Sequence, residues 1–233
     1  MRTTLLLIIA SISLGGANSL GHPHSGPSSP IAGQASATQQ RARTVEGQVL
    51  TSTEMPPVRL KFPADFKYIG AQDFILYDNA RAEQHFFVVA DGQRRITRLY
   101  WVQFEGYLPT NTHTYRYTVN KTVNVGGLEF IADARAANVK TNQGRPDSDG
   151  ARARAFFENK GYRLASDDVM VQRLVHLVDE AKRNELMIIY MEDMGGTGLT
   201  AGDVAPGGRA AAQWEEISKG LLERAVKGLG VER

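Results

Sequence analysis

Residues 96–107 read ITRLYWVQFEGY. Alternation along a strand puts Ile96, Tyr100, Val102 and Phe104 on one face and Leu99, Trp101, Gln103, Glu105 and Tyr107 on the other. Both faces carry large apolar side chains, so the stretch predicts a strand inside a sheet that is covered on both sides. The second face grades from Leu99 and Trp101 into Gln103, Glu105 and Tyr107. Such a row suits either a pocket with an apolar floor and a polar mouth or a strand whose end emerges into solvent.

Working backwards, His85 to Ala90 runs into Asp91-Gly92, a turn pair whose glycine tolerates positive φ, which predicts a hairpin over 85–107. Val58 to Phe62, Phe66 to Ile69 and Phe74 to Tyr77 read as shorter strands after the break at Met55-Pro56-Pro57. Working forwards, Tyr115 to Val119 and Lys121 to Ile131 propose two more strands, the second bent or bulged at Gly126-Gly127. Ser148 as a cap and Gly161 past the end bound a helix whose apolar content is Ala151, Ala155, Phe156 and Phe157. Met170 to Val178 and Glu185 to Met191 form a second hairpin around the charged turn Asp179 to Asn184. Residues 195–208 hold six glycines and a proline and predict a loop. The chain closes on an amphipathic helix over Ala210 to Lys227, with Trp214, Ile217, Leu221 and Ala225 on one face.

Short turns between strands and two late helices predict an α+β fold: a largely antiparallel, curved β-sheet with one mid-chain helix and a C-terminal amphipathic helix packed on it. A closed barrel with an attached helix is the alternative.

The first 19 residues have the order of a cleavable export signal: Arg2, an apolar run from Leu5 to Leu14, then small residues to Ser19. Ten residues fall short of the roughly 20 that span a bilayer as a helix, so the mature chain is expected to carry no membrane span. Residues 20–45 are rich in Gly, Pro, Ser, Ala and Gln and predict a disordered linker, which leaves 46–233 as one domain. A cut after Ser19 would free the amine of Leu20-Gly21-His22, an arrangement able to offer Cu(II) or Ni(II) a square of nitrogens. The expected destination is the periplasm or the exterior.

The chain has no cysteine, which excludes disulfides, thiolate metal sites and a cysteine nucleophile. A net charge of +2 with both signs interspersed argues against nucleic acid as a partner. Gly196-Thr197-Gly198 lacks the prompt helix start that a dinucleotide loop requires. His85, His113 and His176 with Glu83, Glu105 and Glu192 could supply metal ligands, but no two have a diagnostic spacing, and no cofactor is expected.

Pairing Asp179 with Asn184 would set Arg173 opposite Tyr190 and His176 opposite Met187, with Arg173, Tyr190 and Glu192 on one face. An arginine among apolar strand residues needs a carboxylate, either Glu192 or that of a ligand. The candidate ligand-binding residues are therefore Trp101, Gln103, Glu105, Tyr107, Arg173 and Tyr190. They suit a binding module for a small apolar or amphipathic ligand. The alternatives are an envelope protein-protein interaction domain and a hydrolase using Glu105 or Glu192 with His176 or Arg173.

Overall fold

The ITRLYWVQFEGY stretch forms a strand flanked on both edges, and the fold grows outward from it. The structure is a computed structural model and describes residues 42–233. The export signal, the Leu20-Gly21-His22 motif and all but the last residues of the linker lie outside the described residues.

In chain order the strands are β1 (Arg43–Glu46), β2 (Val49–Ser52), β3 (Val58–Lys61), β4 (Lys67–Leu76), β5 (Ala80–Ala90) and β6 (Arg95–Tyr107). They continue with β7 (Thr122–Val125), β8 (Leu128–Asn138), β9 (Arg163–Leu164), β10 (Asp168–Leu177), β11 (Asn184–Asp193) and β12 (Gly230–Glu232). The helices are α1 (Asp149–Asn159), α2 (Ala201–Val204) and α3 (Trp214–Lys227). The large sheet runs β4-β5-β6-β11-β10-β8-β7, antiparallel throughout, and β9 adds a short parallel pairing to the start of β6. A smaller antiparallel sheet runs β1-β2-β3-β12. Among the described residues the protein is thus mostly antiparallel β-sheet with three α-helices, one of them near the C-terminus.

Each face of the large sheet has its own apolar cluster. On one, Phe86, Leu99, Trp101, Val171 and Ile189 pack with Ala153 and Phe157 of α1. On the other, Phe87, Tyr100, Val102, Leu174 and Ile188 pack with Leu221 and Ala225 of α3 and with Leu50 and Leu60 of the small sheet. Burying each large aliphatic or aromatic side chain contributes about 1.5–3 kcal/mol before the entropy of ordering is subtracted.

Helices α1 and α3 form where the sequence places their signals. The Ser148 side chain accepts from Ala151 N at the start of α1. The stripe turned to the sheet is Ala153 and Phe157 rather than Ala151 and Ala155. In α3, Glu215 and Glu216 sit in the first turn and Arg224 and Lys227 in the last, matching the helix dipole. Gly228 follows α3, and a Cβ there would stand 2.6 Å from the Tyr100 hydroxyl. That bare backbone lets Tyr100 donate to Ala225 O at 2.8 Å, tying the central strand to the last turn of the helix.

Several expectations need correction. Residues 115–119 form no strand: Tyr115 N donates to Lys182 O, and the segment crosses the sheet without joining a ladder. Gly126 and Gly127, at φ +57° and +83°, are the turn of a hairpin between β7 and β8 rather than a bulge within one strand. A register shift at Val89/Ala90 makes Ala90 face Ile96 where Val89 faces Arg98, so Ile96 joins the face of Leu99 and Trp101. The glycine-rich loop contains the one-turn α2, closed by a capping box between Thr200 and Asp203.

The β10–β11 register also differs by one residue. Val178 N donates to Asn184 O, Asp179 accepts from Arg183 N and Asn184 Nδ2, and Lys182 takes φ +54°. The turn therefore spans 179–183, and Arg173 faces Ile189 while Tyr190 faces Gln172. Tyr190 lies on the α3 side of the sheet and Arg173 on the α1 side.

Candidate functional site

Cross-strand pairing builds a polar cluster at one end of the α1 face. Glu105 pairs with Glu185, and Leu177 follows in the same row. In the next row Gln84 pairs with Gln103, and Gln84 Nε2 donates to Gln103 Oε1 at 2.8 Å. Residues 108–121 pass over these rows and supply two hydroxyls. Tyr115 donates to Glu105 Oε1 at 2.8 Å, and Tyr117 donates to Glu185 Oε2 at 2.5 Å. Gln103 Nε2 completes the set by donating to Glu105 Oε2 at 2.6 Å.

The electrostatics follow from burial. Glu185 is 3 % exposed and Glu105 is half-buried. Burial pushes the Glu105 carboxyl up to about 7 and the Glu185 carboxyl up to about 8, each only partly offset by its tyrosine hydrogen bond. The Asp149 carboxyl, at the first turn of α1, is raised by burial as well and adds a third negative group nearby. Burial together with the adjacent carboxylates raises Tyr115 and Tyr117, so both hydroxyls stay protonated donors.

Arg173 reaches this face from β10. Its partner is Asp133 of β8, directly opposite in register, with Nε to Oδ2 at 3.0 Å. Arg135, two residues on from Asp133, makes no hydrogen bond or salt bridge among the described residues, and burial with the like charge of Arg173 lowers its affinity for its proton. The indole N–H of Trp101 is also buried without a hydrogen-bond partner among the described residues.

Of the sequence-derived candidates, Trp101, Gln103, Glu105 and Arg173 thus share one face, and Tyr107 stacks on Tyr115 at 4.5 Å at its margin. Tyr190 is apart from them: it donates to Glu192, whose carboxylate also receives Arg224 through Nε and Nη2 at 2.8 Å each. Arg173 is therefore satisfied by Asp133, not by Glu192. His176 bonds Glu129 O and packs against Phe130 of the α3-side cluster, so neither Glu105 nor Glu192 meets it. Glu83 and His85 do meet, at 2.8 Å, with Arg43 on the other carboxylate oxygen and the Tyr68 hydroxyl at His85 Nδ1. Among the described residues no group of three or more His, Asp or Glu is placed to hold a metal ion, and no helix is long and apolar enough to cross a membrane.

A cleft of about 310 Å³ opens on the other side of the sheet, between the 194–199 loop and α3. Met170, Met194, Leu199 and Ile217 make its floor, and Gln213 and Glu216 stand at its rim. Met170 and Met194 are buried, and their unbranched thioether chains can adapt to the shape of an occupant. Bidentate contact with Glu192 neutralises Arg224, which lines the same cleft. The Gln213 amide and the Glu216 carboxylate have no partner among the described residues, so the polar end of the cleft offers two acceptor groups, one amide donor and no uncommitted cation. Of the residues the sequence suggested for a ligand, Trp101, Gln103, Glu105 and Arg173 lie on the opposite face, and Tyr190, on the α3 side, does not line this cleft. The floor residues Met194 and Leu199 sit in a loop that strand parity cannot address.

A scan against protein-family models and searches of curated proteins and of solved structures found no match to this chain.

Proposed function

We propose that the protein is an exported α+β binding module, its curved sheet and C-terminal helix holding a small amphipathic ligand in the cleft between α3 and the 194–199 loop. The observation that carries this reading is the cleft itself, about 310 Å³ with an apolar floor and a rim of unpaired acceptors. That size stands at the lower end of small-molecule sites, and an apolar lining with a few polar groups is their usual makeup. The ligand class follows from the rim. An apolar body would cover Met170, Met194, Leu199 and Ile217, and a hydroxyl or amine would donate to Glu216 and Gln213. Export to the periplasm or the exterior rests on the order of residues 1–19.

Titration with the neutral fluorescent amphiphile N-phenyl-1-naphthylamine, whose N–H can donate to the rim, tests the site. The reading expects saturable binding that Ile217→Arg abolishes while the urea midpoint stays within the range of a surface substitution. Equal binding by Ile217→Arg would place the probe elsewhere and overturn it.

A further inference from the structure

Segment 108–121 is fastened to the sheet in two different ways. At its base the bonds involve backbone and permanent charge: Leu108 N to Asn79 O, and the Arg183 guanidinium to the carbonyls of Leu108 and His113. Across the face of the sheet the two hydroxyl bonds go to titratable groups, Tyr115 to Glu105 and Tyr117 to Glu185. Those two acceptors are directly opposed residues of adjacent strands, and opposed side chains in a sheet lie about 5 Å apart at Cβ. Two ionised carboxylates at that spacing, on a face turned away from water, repel strongly.

We infer that Glu105 and Glu185 form a proton-operated clasp that holds segment 108–121 against the sheet. While the pair retains a proton, the carboxyls coexist and both tyrosines stay bound. When the last proton leaves to solvent, the two negative charges cannot both remain. Glu185 is enclosed, whereas Glu105 is half-buried near the end of β6. Glu105 is therefore the group that swings out, and its departure takes away the acceptor of Tyr115 and loosens the stack of Tyr115 on Tyr107. The stretch from Tyr115 to β7 then lifts, drawing Tyr115 N off Lys182 O and uncovering Gln103 and the cross-strand carboxylate row.

The surroundings favour this sign. From α1, Asp149 adds negative charge against both carboxyls. From β10, Arg173 favours ionisation of Glu185, but it is committed to Asp133 of β8. From the β10–β11 turn, Arg183 acts on Tyr107. From β8, Arg135 acts on Asp149 and is itself opposed by Arg173. From β4–β5, Tyr77 is half-buried and feels Glu105. From β5, the residues paired with the row are Ala82 and Gln84, neither of which carries charge. The clasp does not rest on the ligand cleft, which lies on the other face of the sheet.

Hydrogen–deuterium exchange of the whole mature chain, compared at about pH 5.5 and about pH 8.5 with labelling times matched for intrinsic exchange, tests the clasp. In peptides covering 108–121 the Tyr115 amide, bonded to Lys182 O, is expected to lose protection by about tenfold at the higher pH, the change that one pKa unit supplies. Peptides from the β10–β11 hairpin should keep theirs. Glu105→Gln should keep 108–121 protected at both pH values, and Tyr115→Phe should leave it weakly protected at both. Equal protection of 108–121 in the unmodified protein at the two pH values would overturn the clasp, and this comparison does not depend on any variant folding. Loss of protection spread evenly over the hairpin, or pH-dependent loss that persists in Glu105→Gln, would overturn it as well.

Discussion

Glu185 of β11 stands directly opposite Glu105 of β6, and each carboxyl takes a hydrogen bond from a different tyrosine of the same crossing segment. Both carboxyls bind their protons more tightly in the folded chain than in an unfolded one. Between the usual carboxylate range and about pH 8 the folded state therefore holds more protons, and the free energy of unfolding falls as pH rises. At the acid end Glu83 and Glu192, held low by Arg43 with His85 and by Arg224, give up their contribution as pH drops through their folded values. Maximum stability is expected near about pH 5. Urea unfolding across a pH series checks this, and Glu105→Gln with Glu185→Gln should flatten the alkaline slope.

The two neighbouring tyrosine hydroxyls should be separable. Tyr117→Phe leaves the enclosed Glu185 without its donor and is expected to cost about 1–3 kcal/mol. Tyr107 makes ring contacts and no hydroxyl hydrogen bond among the described residues, so Tyr107→Phe should change stability by less than about 0.5 kcal/mol. Denaturant midpoints of the two variants at one pH give the comparison.

Asp133 and Arg173 face each other across β8 and β10 and are both part-buried. Removing one partner strands the other's charge, so Asp133→Ala is expected to cost about 1.5–3 kcal/mol. Replacing both, as Asp133→Leu with Arg173→Met, should recover part of that loss. A double-mutant cycle in which the losses simply add would show that the pair contributes no coupling.

The close approach at Gly228 makes a third stability test. Gly228→Ala puts a methyl 2.6 Å from the Tyr100 hydroxyl and should break its bond to Ala225 O, at about 1–3 kcal/mol. With Tyr100→Phe already in place the same substitution should cost less, because the oxygen that it strikes is gone. Thermal unfolding of the two single variants and the double variant reads the difference.

The sheet was legible where periodicity and turn chemistry agreed. Asp91-Gly92 and the alternation of 96–107 placed β5 and β6, and the apolar runs on either side of 179–184 placed β10 and β11. The Trp214, Ile217, Leu221 and Ala225 stripe placed α3, of which Leu221 and Ala225 are buried. What failed was set by single residues whose effect is not periodic. Asp179 lengthened a turn by one residue and moved Tyr190 out of the site. A register shift at Val89/Ala90 turned Ile96 to the other face. The aromatic run Tyr115 to Val119 has strand composition, yet it joins no ladder: Tyr115 N bonds Lys182 O in the β10–β11 turn and the hydroxyls of Tyr115 and Tyr117 bond the sheet. Parity put Gln103 and Glu105 on a shared face, and it is the β10–β11 and β11–β6 register that brings Arg173 to the same side. Glu185 and Asp149 went unnoticed because one begins an apolar strand and the other follows a helix cap, places where a carboxylate has an ordinary explanation.

The central claim is that the cleft beside α3 retains a small amphipathic molecule. It is tested most directly by the mass of the protein recovered from the exported fraction, measured under native conditions and again after denaturation. The protein should show a native mass excess that vanishes on denaturation and is missing from Ile217→Arg, with a denatured mass that begins at Leu20. A native mass equal to the bare chain, in protein that also fails to take up N-phenyl-1-naphthylamine, would contradict it.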